Sequence, residues 1–193
     1  DAAHGIGMLP LDLDVLGASF TTSNCHKWLC SPKGSAFLHV RKDQQKYIHP
    51  LTISHGMTFP SNGNSLFRNE FDWTGTRDIS AHCVLPYLIN YLDNLVDGGL
   101  ENIMQYNHNL VLRGRDIICQ KLDIEIPCPD DMIGSIATIP LPGDAVDGIP
   151  LHDPDPLHIY LMENYKIQVP VWYWPNPKGR YLRISAYLYN NES

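Results

Sequence analysis

The sequence predicts an α/β fold followed by a small α+β domain, and three observations predict it. Short β-branched or apolar runs alternate with segments of helical period through the first 122 residues. Polar residues gather where the apolar runs end, and in α/β sheets ligands sit outside the carboxyl ends of the strands. From about residue 125 the pattern changes to proline-bracketed strands around one short helix. The expected division is 1–122 for the larger part with its linking helix and 123–193 for the smaller.

The elements follow in order. Residues 1–7 combine small side chains with two glycines, Gly5 and Gly7, the composition of a tight strand-to-helix turn. Residues 11–17 form a short segment closed by Gly17, and residues 18–23 read as a strand. Residues 34–41 read as a second strand, apolar enough to be buried on both faces. Residues 47–70 are rich in Gly, Asn, Ser and Pro and read as a long loop. Helical spacing returns at 79–95 (Val84, Leu85, Leu88, Leu92, Leu95) and at 100–122 (Ile103, Tyr106, Leu110, Ile117), with Gly98 and Gly99 between. Further strands are expected at 135–139, 167–172 and 181–189, and a helix at 157–165.

Composition excludes several classes. With 44% hydrophobic and 18% charged residues the chain is of globular type, and it has no apolar run near the roughly 20 residues of a membrane span. A net charge of −7 without a basic cluster excludes nucleic acid as a partner. Five cysteines, an odd number, point to a reducing, cytoplasmic setting. The opening Asp-Ala-Ala-His is no signal peptide and reads as the middle of a motif, so a fragment of a longer chain is expected.

Residues 21–34 carry the chemistry. A strand of Thr and Ser runs into Asn24, Cys25, His26, Lys27 and Trp28, and a Pro-Lys-Gly turn closes the stretch. A lysine between a histidine and a tryptophan after a buried strand sits in surroundings that can turn its amine into a nucleophile. Asp1 and His4 flank a tight turn upstream, and Thr74-Gly75-Thr76-Arg77-Asp78 offers hydroxyls and backbone N–H groups for a phosphate. Each group also has a plain reading: Asp1 and Asp78 as turn formers or caps, His4 and His26 as hydrogen-bonded structural residues, Arg183 in an edge salt bridge. Cys25, His26 and Cys30 lack the CxxC pair and the second ligand pair of a zinc site, so no metal is expected. Trp172, Tyr173 and Trp174 are expected to pack rather than bind.

Asp-Ala-Ala-His-Gly-Ile-Gly, Ser-Asn-Cys-His-Lys-Trp, Trp-Thr-Gly-Thr-Arg-Asp and Leu-Arg-Ile-Ser stand in that order. Together they resemble the class V aminotransferase family of pyridoxal-phosphate enzymes of fold type I, in its isopenicillin N epimerase-like and cysteine desulfhydrase-like branch. The resemblance implies the later part of a large domain with a mixed, mainly parallel sheet. It implies pyridoxal 5'-phosphate as cofactor, with Lys27 as the Schiff-base lysine that also carries the α-proton. Asp1 would face the pyridine nitrogen, His4 the ring hydroxyl, and His26 and Asn24 the phosphate, although relatives often have Ser where Asn24 stands. Gly75 and Thr76 would reach the phosphate of a neighbouring subunit, which implies a homodimer, and Arg183 would hold the substrate α-carboxylate.

The same resemblance implies an amino-acid substrate and a carbon–sulfur lyase, with an epimerase or an aminotransferase as alternatives. The family's N-terminal half, with its phosphate turn and ring-stacking aromatic, is not in this sequence. The chain by itself is therefore expected to bind the cofactor poorly, and a non-catalytic dimerisation module is the rival from another class.

Overall fold

The computed structural model describes residues 1–58, 63–143, 155–175 and 178–191. The chain forms two compact units, Asp1–Leu95 and Val96–Ser193.

In the first unit, β1 (Phe20–Ser23) pairs antiparallel with β2 (Phe37–Val40), with Thr22 opposite Leu38. Thr21 and Ser23 turn inward while Phe20 and Thr22 face out, the period-two alternation of a strand. The expectation that β2 is buried on both faces fails: Leu38 is 45% exposed, because the ribbon has only two strands. The mainly parallel sheet is not seen either. Residues 24–36 turn the chain back on itself so that β1 and β2 run antiparallel, and every other ladder among the described residues is antiparallel too.

Ahead of the ribbon, α1 (Leu13–Leu16) starts where the Asp12 carboxylate accepts from Asp14 N and Val15 N, and it ends at Gly17 in the left-handed region. The expected loop at 47–70 is partly helical, holding α2 (His55–Thr58) and α3 (Leu66–Asp72), while residues 59–62 lie outside the described residues. α2 packs against α3 so closely that a Cβ on Gly56 would fall 1.9 Å from Asn69 O. Glu70, on α3, is buried and receives His49 Nδ1 at 2.8 Å. The helix expected at 79–95 is two, α4 (Ser80–Cys83) and α5 (Leu85–Asp93). Pro86 lacks the N–H that a continuous helix would direct at His82 O, so the chain breaks at Val84.

The second unit is built on α6 (Gly99–Leu122). Its buried positions Ile103, Asn107, Val111, Arg115 and Cys119 recur every fourth residue, one stripe of the helix. Val111 packs with Ala137 and Ala186, beside Leu110, Ile133 and Ile184. Of these, Ala137 and Ile184 belong to a sheet of β3 (Ile136–Pro140), β4 (Val171–Pro175) and β5 (Lys178–Ser185) in the order β3-β5-β4. β4 begins later than expected because Pro170 has no N–H to give the ladder. Within α6, Arg115 is 1% exposed and pairs with Asp116 at 2.8 Å and Asp130 at 2.6 Å. Trp172 packs on Tyr181 with ring centroids 6.3 Å apart, so this part of the aromatic run is packing.

α7 (Pro156–Tyr165) is capped by Asp155, which accepts from Leu157 N at 2.7 Å and from Arg180 Nε at 2.9 Å and Nη2 at 2.5 Å. Burial raises the Asp155 carboxyl, but hydrogen bonds from Arg180, Tyr173 and Leu157 N, with the charge of Arg180, outweigh it and leave the pKa lowered. The stabilisation this gives is complete above the unfolded carboxylate's pKa of about 3.9 and is lost as pH falls through the lowered folded value. Asp155→Asn should destabilise the unit by about 2–3 kcal/mol at neutral pH by stranding Arg180. It should also flatten the acid limb of stability, read by urea denaturation followed by circular dichroism at neutral and acidic pH.

Candidate active site

Two stretches of the first unit are laced together main chain to main chain. Ala2 N donates to Thr22 O at 2.9 Å and Asn24 N to Ala3 O at 3.3 Å, while Ile6 N donates to the fully buried Ser23 Oγ at 3.1 Å. Gly7 has φ +79°, and a Cβ there would come within 2.7 Å of Trp28 C and Leu29 N. Only glycine permits both the conformation and the approach.

The lysine turn is braced from its other side by Ser35. Its carbonyl accepts from Cys25 N at 3.1 Å and from His26 Nδ1 at 2.9 Å, and its hydroxyl is hydrogen-bonded to Ser31 Oγ. Cys25 and Leu29 are buried, so the turn is anchored on alternate sides of the half-buried Lys27. Burial raises the Cys25 thiol pKa, which keeps it protonated and inert. Cys30 is exposed, at φ 58°.

Within this frame Lys27 Nζ lies 3.1 Å from His4 Nε2, and Trp28 Nε1 donates to His4 Nδ1 at 3.0 Å. The Asp1 carboxylate accepts from Ala3 N at 2.8 Å, which is its plain reading as a turn former. Asn24 enters through its backbone, accepting from Lys27 N at 3.3 Å. Asp1, His4, Asn24, His26 and Lys27 are thus brought into one neighbourhood.

Gly75 and Thr76 line a cavity of about 490 Å³ with Thr52, Ser54, His55 and Thr74. Gly75 has φ +119°, and Ser54 Oγ donates to Trp73 O, tying this loop to the segment before α2. Asp78 accepts from Ser80 N at 2.8 Å, just ahead of α4. Arg183 belongs to the second unit, on β5 opposite Thr138. Its Nε is buried and has no hydrogen-bond partner in the structure. A buried donor left in that state calls for an acceptor.

The aminotransferase class-V family model matches residues 1–149. This chain belongs to that family. The "Probable L-cysteine desulfhydrase, chloroplastic" of Arabidopsis thaliana is 34% identical over 199 residues, covering 98% of this chain and 40% of that protein. Isopenicillin N epimerase of Amycolatopsis lactamdurans is 28% identical, covering 100% of this chain and 48% of that protein. The chain therefore spans under half the length of these relatives. The apo cysteine desulfurase of Thermococcus onnurineus NA1 superposes with a TM-score of 0.71 at 21% identity, over 99% of this chain and 48% of that one. A lysine-to-alanine mutant of C-DES, with glycine covalently linked to its pyridoxal-phosphate cofactor, superposes at 0.65 and 17% identity. These superpositions give the fold, that of about half a fold type I chain. Among the described residues no helix is long and apolar enough to cross a membrane.

The donor set fits the family's cofactor. Within the first unit, an amine held beside an imidazole, a second histidine with its Nδ1 already occupied and a carboxylate are donor and acceptor types that an aldehyde, a phosphate and a pyridine nitrogen would call for. Sequence reading missed Gly7, Ser23 and Ser35, whose roles are contacts between distant stretches, and it treated Trp28 only as a neighbour of the lysine. Gly7→Ala should destabilise the chain by about 3 kcal/mol or more, from backbone strain plus overlap with the Trp28–Leu29 peptide. Denaturant midpoints of the variant and the wild type measure it.

Proposed function

We propose that this chain carries the lysine-bearing part of a pyridoxal-phosphate site that acts on a sulfur-containing amino acid, in a carbon–sulfur lyase of cysteine desulfhydrase type. The observation that carries it is the Lys27 Nζ–His4 Nε2 contact at 3.1 Å inside a turn fixed on both sides. The family membership and the desulfhydrase relatives at 31–34% identity support the substrate class. Epimerase relatives at 28% identity support the alternative, reprotonation of the same α-carbon on its other face.

When bound, the cofactor supplies an aldehyde and an electron-withdrawing ring that stabilises a carbanion at the amino-acid α-carbon. Lys27 supplies the amine for that aldehyde and later takes and returns the α-proton at Nζ. His4 directs Nε2 at the reacting region, and Asp1 offers a carboxylate to hold a proton on the pyridine nitrogen. His26 gives its Nδ1 hydrogen to Ser35 O, so Nε2 is the nitrogen remaining for the phosphate, to which it donates only when it too carries a proton, with Asn24 beside it. Gly75 and Thr76 line a cavity suited to the phosphate of a partner subunit, so the working form is a homodimer. Arg183, on β5, is the residue proposed to hold a substrate carboxylate through its guanidinium.

Incubation with pyridoxal phosphate, borohydride reduction and peptide mass spectrometry should place the adduct on Lys27. Label on Lys33, or spread over many lysines, would sink the assignment and favour the interaction-module reading. In the full-length enzyme, Lys27→Ala should lower the release of sulfide from cysteine by about 10³-fold or more. Undiminished turnover would remove the lysine from the mechanism.

A further inference from the structure

The hydrogen bonds through His4 have a direction that chemistry fixes. Trp28 Nε1 donates to His4 Nδ1 at 3.0 Å, and an indole nitrogen can only donate. His4 Nδ1 is therefore the acceptor and carries no proton. A neutral imidazole with a bare Nδ1 has its proton on Nε2, the nitrogen 3.1 Å from Lys27 Nζ. That contact is then a hydrogen bond with the amine lone pair as acceptor. The other tautomer would set Nδ1–H against the indole N–H, two donors face to face, at a tryptophan only 8% exposed. His26 is held the opposite way, because the carbonyl of Ser35 can only accept and so requires Nδ1–H.

We propose that Trp28 is a positioning residue: its indole N–H locks His4 in the Nε2–H tautomer, so the ring presents a donor to Lys27 Nζ. Packing alone would account for the burial of Trp28 but not for the direction of its N–H. The backbone supports the arrangement, since Gly7 seats residues 1–7 against the Trp28–Leu29 peptide and fixes the two main-chain stretches that carry the rings against each other. Without the indole hydrogen His4 can move its proton to Nδ1. Its bare Nε2 then faces Lys27 as an acceptor, and the donor that orients Nζ is lost. The catalytic consequence rests on the function proposed above, whereas the tautomer does not.

Two-bond proton–nitrogen correlation spectra of the ¹⁵N-labelled chain read the tautomer of each ring directly. The expected result is Nε2–H at His4 and Nδ1–H at His26, with Trp28→Phe turning His4 into a mixture and leaving His26 unchanged. Lys27 modification by trinitrobenzenesulfonate, followed by peptide mass spectrometry, should slow about five-fold in Trp28→Phe, the effect of one lost hydrogen bond. In a His4→Gln background, which keeps a donor at the Nε2 position but gives Trp28 no ring nitrogen to hold, Trp28→Phe should have no further effect. A proton on Nδ1 of His4 in the wild type would overturn the proposal, and that reading stands even if Trp28→Phe fails to fold. Equal slowing by Trp28→Phe in both backgrounds would overturn it too, because that is the behaviour of a packing residue. Neither measurement uses the cofactor, so a missing adduct at Lys27 would defeat the functional reading alone.

Discussion

The approach of the Gly7 backbone to the Trp28–Leu29 peptide is the constraint on which the site depends. At 2.7 Å from an imagined Cβ to Trp28 C and Leu29 N, no other residue allows it. With Ala2, Ala3 and Ile6 hydrogen-bonded to Thr22, Asn24 and Ser23, residues 1–7 have no freedom to slide along the ribbon. His4 is carried by that segment, and Lys27 and Trp28 by the turn it touches. Their mutual geometry is set by main-chain contacts rather than by long side chains choosing rotamers. Preorganisation of this kind lets a reactive amine be held without an entropy penalty at the moment of reaction.

Ser35 plays the matching part on the other side of the turn. One carbonyl takes both a backbone N–H and an imidazole N–H, and the hydroxyl next to it joins Ser31. A carbonyl has two lone pairs, so this double duty leaves nothing unsatisfied. The turn is thereby clamped between two stretches distant in sequence. Its two histidines are assigned opposite tautomers by neighbours that can play only one role each.

What the sequence makes legible follows from whether a signal is local. The Thr-Ser run into Lys27, the Pro-Lys-Gly turn and the period of residues 99–122 are local, and the structure has β1, the turn and α6 there. Burial of β2 was misjudged because apolar composition cannot report how many strands flank it. The loop expected at 47–70 hides two helices whose contact is a backbone approach at Gly56 and whose buried carboxylate, Glu70, is met by His49, and neither leaves a periodic trace. The break at Val84 was written in Pro86, but the apolar period across it masked the missing donor. Trp28 reads as packing in any sequence, since only coordinates show where its N–H goes.

The arginines of β5 show the same limit at the level of single side chains. Arg180 and Arg183 are three apart, so they project from opposite faces of one strand. Arg180 is doubly bonded to the buried Asp155, which needs it as a countercharge and ties α7 to the sheet. The Nε of Arg183 is buried without a hydrogen-bond partner. By composition the two are interchangeable. By environment Arg180 is consumed in holding the unit together, while Arg183 keeps a buried Nε without a hydrogen-bond partner.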